Sequence, residues 1–405
     1  MTFITQAQAQ ARALALKPIG RGTLALLALA GAGATMSLAV VLFNLLTQGH
    51  SSFGTSNEVP WGLPIATYVF FVLTSTGLTF VVSLATVFKF EQFYPIVKRC
   101  IWLAVATLIA GFSVLALEIG HPFRMLWALP FSLQVHSPMW WMGIFYSAYL
   151  VLLLLKFLRI QLGDWDSPLS RGLGIASFVT VVLAHGNLGA LFGMMFMRTF
   201  WYDGLTFVYF LVVAGLSGVA FAILFTYLTD RLNGQRKSGK AGALMTDVMP
   251  QLFAATLGIV LIFMYARTMN GLWGDLEGLE VFYRLAWSPF FHFEIWIGLV
   301  LPFIVLLSPT YRRKPSVLLG AAALVIVALF IGRYEYVVGG QVVPMFRGMA
   351  VPGYAAYSPS LTEWMLVVLG ASITMFIYVA GDWLLDLTDS PRSQHARTEA
   401  AIQAT

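Results

Sequence analysis

Ten apolar runs, each long enough to cross a bilayer, constrain this chain more than any other feature. They fall at about 23–47, 60–88, 97–119, 138–158, 171–194, 205–228, 247–269, 289–309, 315–334 and 361–385. A span needs about 20 mostly apolar residues. Lipid cannot satisfy backbone polar groups, so runs of this kind fold as helices. Only 10% of the residues are charged, where a soluble domain would have about 25%. The fold expected is an all-α membrane protein of ten transmembrane helices. A polar segment, 1–22, precedes the ten-span domain 23–385, and a polar tail, 386–405, follows it. The first run is too long for the core of a cleaved signal, so span 1 is expected to be retained.

The positive charges orient the bundle. Arg12, Lys17 and Arg21 precede span 1, and further Lys and Arg follow spans 2, 4, 6 and 8. The alternate connectors carry only Arg124, Arg198, Arg284 and Arg347. The positive-inside rule then puts both termini in the cytoplasm of a multi-pass protein of the cell inner membrane. The formal charge of +6 sits in these flanks, so no nucleic-acid partner is expected. Ser137-Pro138 opens span 4 and Ser288-Pro289 opens span 8. The same shift carries spans 2–5 onto spans 6–9. An even number of spans per repeat gives two halves of like orientation. Two similar four-helix bundles are expected, spans 2–5 and 6–9, with spans 1 and 10 peripheral. Chance recurrence of Ser-Pro at helix starts is the competing explanation.

Charge inside a bilayer is expensive, so its placement is informative. Span 3 ends at Glu118. His185 lies about 21 Å along span 5, counted from Arg171 at 1.5 Å per residue. Arg267 is near the end of span 7, His292 and Glu294 open span 8, Arg333 and Glu335 end span 9, and Glu363 opens span 10. All fall at one outer level, and Asp382 is the main exception at the inner level. Between spans 3 and 4, the stretch from Leu117 to Trp141 packs His121, Arg124 and His136 among aromatics and three prolines. It reads as a connecting loop at the lipid–water boundary. Glu118, Glu335 and Glu363 read either as water-facing helix ends or as pocket acids. Arg267 and Arg333 read as snorkelling side chains or as partners of those acids. His185 sits within its span beside Gly186, Asn187 and Gly189. These small residues would admit a planar ligand or a neighbouring helix.

A polar pocket with aromatic walls at the outer leaflet suits a quinone, whose two-electron chemistry moves two protons and needs a titratable group within reach. His185 is expected to accept a proton from a ring oxygen or to hydrogen-bond it. Glu118 and Glu294 would relay protons outward, and Arg267 and Arg333 would set the local potential. Asn187, Gly189, His121, Arg124, His292 and Glu363 complete the expected quinone-binding set. The one cysteine, Cys100, cannot build a cluster or thiolate metal site, and no metal site is expected.

GHPFRMLWAL after span 3 and HSPMWW at span 4 resemble the NrfD/polysulfide-reductase membrane-subunit family. Its members carry a Gly-Arg-Pro-x-Arg-like turn followed by Ser-Pro and Trp; here His121 stands where arginine is usual. The ten-span layout is most similar to the longer, DsrP-like and HybB-like branch. HGNLG at His185 resembles that branch's fifth span, and Arg267, Glu294, Arg333 and Glu363 fall where it carries charges. The resemblance covers nearly the whole chain. It implies a subunit without a redox centre of its own, with no haem or iron–sulfur cluster. Membrane quinone or quinol, menaquinone or ubiquinone, would be its substrate. An extracytoplasmic ferredoxin-like iron–sulfur subunit would exchange electrons with it, beside further cytochrome and membrane subunits, in sulfur metabolism. Loops 120–137, 270–288 and 335–360 would be the docking surface.

Other classes remain on the residues alone. A secondary transporter with parallel four-helix repeats would place its charges at the midplane. A haem b cytochrome would need a second in-span ligand facing His185. A passive anchor would not need the outer charges.

Overall fold

The computed structural model describes residues 19–234, 242–274, 278–343, 353–385 and 387. Arg347, the basic loop around Arg236 and Lys240, most of the N-terminal segment and nearly all of the tail lie outside the described residues. The ten apolar runs are ten helices, and no strand occurs among the described residues. They are α1 Arg21–Gln48, α2 Leu63–Thr86, α3 Val97–Glu118, α4 Pro138–Gln161, α5 Pro168–Gly193, α6 Thr206–Leu232, α7 Leu244–Trp273, α8 Pro289–Leu307, α9 Pro315–Gly339 and α10 Leu361–Leu384.

The neighbours repeat between the halves. α2 packs on α3 and α5, and α4 packs on α5 and α3. Likewise α6 packs on α7 and α9, and α8 on α9 and α7. The halves meet where α2 lies along α6, flanked by α2 with α9 and α5 with α6. α1 packs on α10, which leans on α3 and α2. The most apolar stretch of α2 is 89% buried in protein, against 17% for α1 and 28% for α4, so α2 is the central helix and α1 and α4 lie at the periphery. Its seam with α6 is main chain against main chain. A Cβ on Gly77 would overlap the Ala214 carbonyl, and one on Gly218 would overlap the Gly77 carbonyl. Small residues let membrane helices approach this closely.

Ser137 and Ser288 do stand just before α4 and α8, but Ser167-Pro168 opens α5 and Ser308-Pro309 opens a short turn as well. The dipeptide therefore marks helix starts generally, as proline at the first helical position favours.

The connectors hold more helix than their prolines suggest. Pro122–Phe131 is a helix, with Pro122 at its start, where the missing N–H has no helical partner to lose, and Pro130 inside its last turn. Glu280–Ala286 forms another, and α9 runs on to Gly339, five residues past its expected end. α8 is helical in three registers. Its middle, Phe293–Val300, is π-helical, and Pro302 follows in the next turn.

At the end of the bundle opposite Glu118, the charges are not all in water. Lys98, Arg99 and Lys156 are buried, although their positions near the connectors suggested solvated flanks. Arg99 pairs with Asp230 at 2.8 Å, and Lys156 donates to the Ser170 hydroxyl and carbonyl. Asn233 donates to Asp382, and the Thr229 and Tyr378 hydroxyls meet at 2.7 Å. Buried charge is tolerated there because partners from other helices satisfy it.

Candidate functional site: an arginine and carboxylate pocket between α6, α7, α8 and α9

The last turns of α9 read Gly332-Arg333-Tyr334-Glu335-Tyr336. Helical spacing puts Gly332, Glu335 and Tyr336 on one face. All three line a small cavity of about 30 Å³, together with Tyr209 of α6, Met264 and Arg267 of α7, Glu294 of α8, and Phe200 and Phe282 from the connectors.

The two arginines are held by rings. The Arg267 guanidinium lies 4.4 Å from the centre of the Tyr336 ring and 4.5 Å from that of Phe200, and its Nη2 reaches the Phe200 carbonyl at 3.5 Å. Arg333, 2% exposed, lies 4.7 Å from the Phe210 ring and 5.2 Å from that of Tyr209. A desolvated cation over an aromatic face gains about 2 kcal/mol. Neither arginine forms an ion pair with a carboxylate among the described residues.

The carboxylates are held by small groups. Glu294 is 4% exposed, and a Cβ on Gly332 would overlap its carboxyl oxygen, so the glycine on α9 makes its berth. Ser288 caps the start of α8 by accepting from Phe290 N–H, and its hydroxyl donates to Glu335 Oε1 at 3.1 Å. Glu294 and Glu335 line the same cavity, Glu294 against Gly332 and Glu335 one turn further along α9. Three buried polar atoms here lack a hydrogen-bond partner: Arg333 Nη1, Glu335 Oε2 and the Tyr336 hydroxyl. Such atoms cost about 1–3 kcal/mol each when left unmet.

Of the residues singled out in the sequence, Arg267, Glu294 and Arg333 therefore come together. His185 stands behind them. It is fully buried, its Nδ1 is 2.9 Å from the Tyr146 hydroxyl, and its Nε2 has no partner in good geometry. Its ring packs 5.8 Å from Phe210, the same ring that carries Arg333. Asn187 donates to the Pro138 carbonyl at 2.5 Å, tying α5 to the start of α4. Gly189 lets α5 close on α6, where a Cβ would sit 3.0 Å from the Thr206 carbonyl oxygen.

Glu363 lies in a separate polar knot. Its oxygens accept from Gly54 N–H at 3.0 Å, Ser360 N–H at 2.7 Å and the Tyr357 hydroxyl at 2.7 Å, closing a capping box on α10. Burial and that bond to Glu363 push the Tyr357 hydroxyl above the usual phenol range. Glu118 is half-buried near the same knot. His121, Arg124 and His292 are exposed at this end of the bundle.

The sequence left Glu335 between a water-facing helix end and a pocket acid, and gave no role to Tyr209, Tyr336, Phe200 or Ser288. They belong to helices and connectors far apart in the chain. The one local signal was aromatic spacing around Arg333.

Residues 51–345 match the model of the polysulphide reductase NrfD family, which is most of the chain. The chain belongs to the NrfD family. This NrfD protein is 26% identical to a subunit of the selenate reductase of Mesobacillus selenatarsenatis, over 83% of its own length and 88% of that protein's. It is 26% identical to the Hdr-like menaquinol oxidoreductase integral membrane subunit of Archaeoglobus fulgidus, over 81% of this chain and 85% of that one. Identity is 22% to the menaquinone reductase integral membrane subunit of Nitratidesulfovibrio vulgaris, over 84% of each. The molecule is thus a multi-pass membrane protein of a family of oxidoreductase membrane subunits.

Proposed function

We propose that this chain binds quinone or quinol in the pocket between α6, α7, α8 and α9, as the membrane subunit of an oxidoreductase complex. One observation carries the reading. The pocket has aromatic walls and two unmet buried polar atoms, the Tyr336 hydroxyl as donor and Glu335 Oε2 as acceptor, with Arg333 Nη1 unmet beside it on α9. A quinol ring offers both halves of that match. One ring oxygen would accept from the Tyr336 hydroxyl, and an O–H would donate to Glu335 Oε2. Arg267 and Arg333 would stabilise negative charge on the oxygens as protons leave. Their aromatic faces keep water from screening them. Two relatives named for menaquinol and menaquinone favour menaquinone over ubiquinone as the substrate.

In this reading His185 acts from behind Phe210, and Asn187 and Gly189 hold its helix in place. Glu118, with Glu363 beside it, relays protons outward, while His121, Arg124 and His292 form the rim. The bundle lies in the cell inner membrane with both termini cytoplasmic. Electrons pass to an extracytoplasmic ferredoxin-like iron–sulfur subunit seated over the Glu118 end, with cytochrome and membrane subunits alongside, in a DsrP-like role in sulfur metabolism. Oxidation of menadiol by the purified complex tests this. Arg333→Ala and Glu335→Gln are each expected to depress both the rate and menadione binding, and unchanged values in both would sink the reading.

A further inference from the structure

We infer that Glu294 and Glu335 hold one proton between them, and that the pair takes the first proton from a ring seated in the pocket. The second half of this statement rests on the quinone reading above; the first does not.

Two buried carboxyls on one small cavity, one lodged against Gly332 and the other a turn further along α9, do not both ionise readily, because the two charges would repel in a medium that screens them poorly. The two neighbouring cations could relieve that repulsion by pairing directly, but they are turned to rings. Arg267 faces Phe200 and Tyr336, and Arg333 faces Phe210. Of the other groups at the site, the Tyr209 hydroxyl is spent on Met264, and His292 is exposed on the far side of the first turn of α8. The acids are thus left to each other, with Ser288 as the only fixed donor among the described residues.

The two partners are not equivalent. Ser288 donates to Glu335 Oε1, which favours the charged form on Glu335 and places the shared proton on Glu294. Glu335 Oε2 is then a free buried acceptor on the pocket wall. A quinol O–H bond breaks, an O–H bond forms at Glu335 Oε2, and the pair goes from one negative charge to none. The electrons leave one at a time to the iron–sulfur group of the partner subunit. Glu294 sits in the π-helical middle of α8, and the missing side chain at Gly332 leaves room for its carboxyl on the α9 wall. Neither feature is needed to build a plain span.

Infrared difference spectroscopy on the reconstituted full chain, free of quinone, tests the shared proton. The wild type is expected to show the C=O stretch of a protonated carboxylic acid that shifts in D2O. Glu294→Gln and Glu335→Gln are each expected to abolish it, since the remaining acid ionises against the arginines. Ser288→Ala, outside the pair, is expected to shift the band and keep it. A wild type without the band, or a band that survives in either glutamine variant, overturns the shared proton. Added menadiol is expected to move the band. A band present but unmoved leaves the shared proton standing and overturns the quinone reading.

Discussion

The two halves of this molecule pack the same way and treat polar groups differently. In the α2–α5 half, hydroxyls answer one another. The Tyr149 hydroxyl meets Ser75 and Thr79, Tyr146 meets His185, and His185 Nε2 is left without a partner. In the α6–α9 half, two arginines rest on aromatic faces and a cavity opens beside them. One scaffold thus supports a closed half and an open one. Buried polar atoms without a partner occur in both halves, so what sets the open half apart is the cavity and the ring-held charge next to it.

If that contrast is right, the largest effects belong to the open half. Arg333→Ala is expected to slow menadiol oxidation by about 100-fold, the usual cost of removing a group that stabilises developing charge. The rate of the purified complex checks it. His185→Phe keeps the aromatic packing and removes the contact with Tyr146. Loss of one buried hydrogen bond of about 1.4 kcal/mol would slow oxidation only about tenfold. A loss matching that of Arg333→Ala would break the comparison and move the centre of the site into the first half.

The closed half makes a prediction about stability. Gly77→Ala forces a Cβ into the Ala214 carbonyl, and overpacking of this kind costs about 1–3 kcal/mol. Thermal unfolding in detergent should show it, while menadiol binding by the folded fraction stays normal. Arg333→Ala should do the reverse.

The smallest expected effect lies at the turn into α5. Partial burial alone would raise the Asp164 carboxyl, but hydrogen bonds from Ser167 and from Arg159 outweigh it and hold it below the ordinary carboxylate range. A lowered value means the stabilisation is present above the unfolded carboxylate range and is lost as pH falls through the folded value. Asp164→Asn should therefore cost about 0.5–1 kcal/mol at neutral pH and nothing in acid. Unfolding measured at both pH values checks the sign.

Much of the architecture could be read from the chain. Ten spans were legible because lipid allows one answer for a long apolar run. Arg267, Glu294 and Arg333 stood out because charge in a span demands a reason. What escaped was pairing. Glu335 looked like any acid at a helix end until α8 brought Glu294 and Ser288 against it. Lys98, Arg99 and Lys156 looked like solvated flanks, since nothing local announces that Asp230 or Ser170 will meet them. The helix at Pro122–Phe131 was hidden by its own prolines, one at the first position, which a helix tolerates, and one inside it.

The seam at Gly77 and Gly218 sets a tolerance for everything built on it. Side chains can swap rotamers and take up slack, but peptide planes in contact have none to give. The spacing between the closed half and the open one is therefore set by main chain, not by side chains that can repack. A molecule meant to rock open and shut would want a looser bearing there; one whose cavity must keep its shape is better served by a spacer with little give.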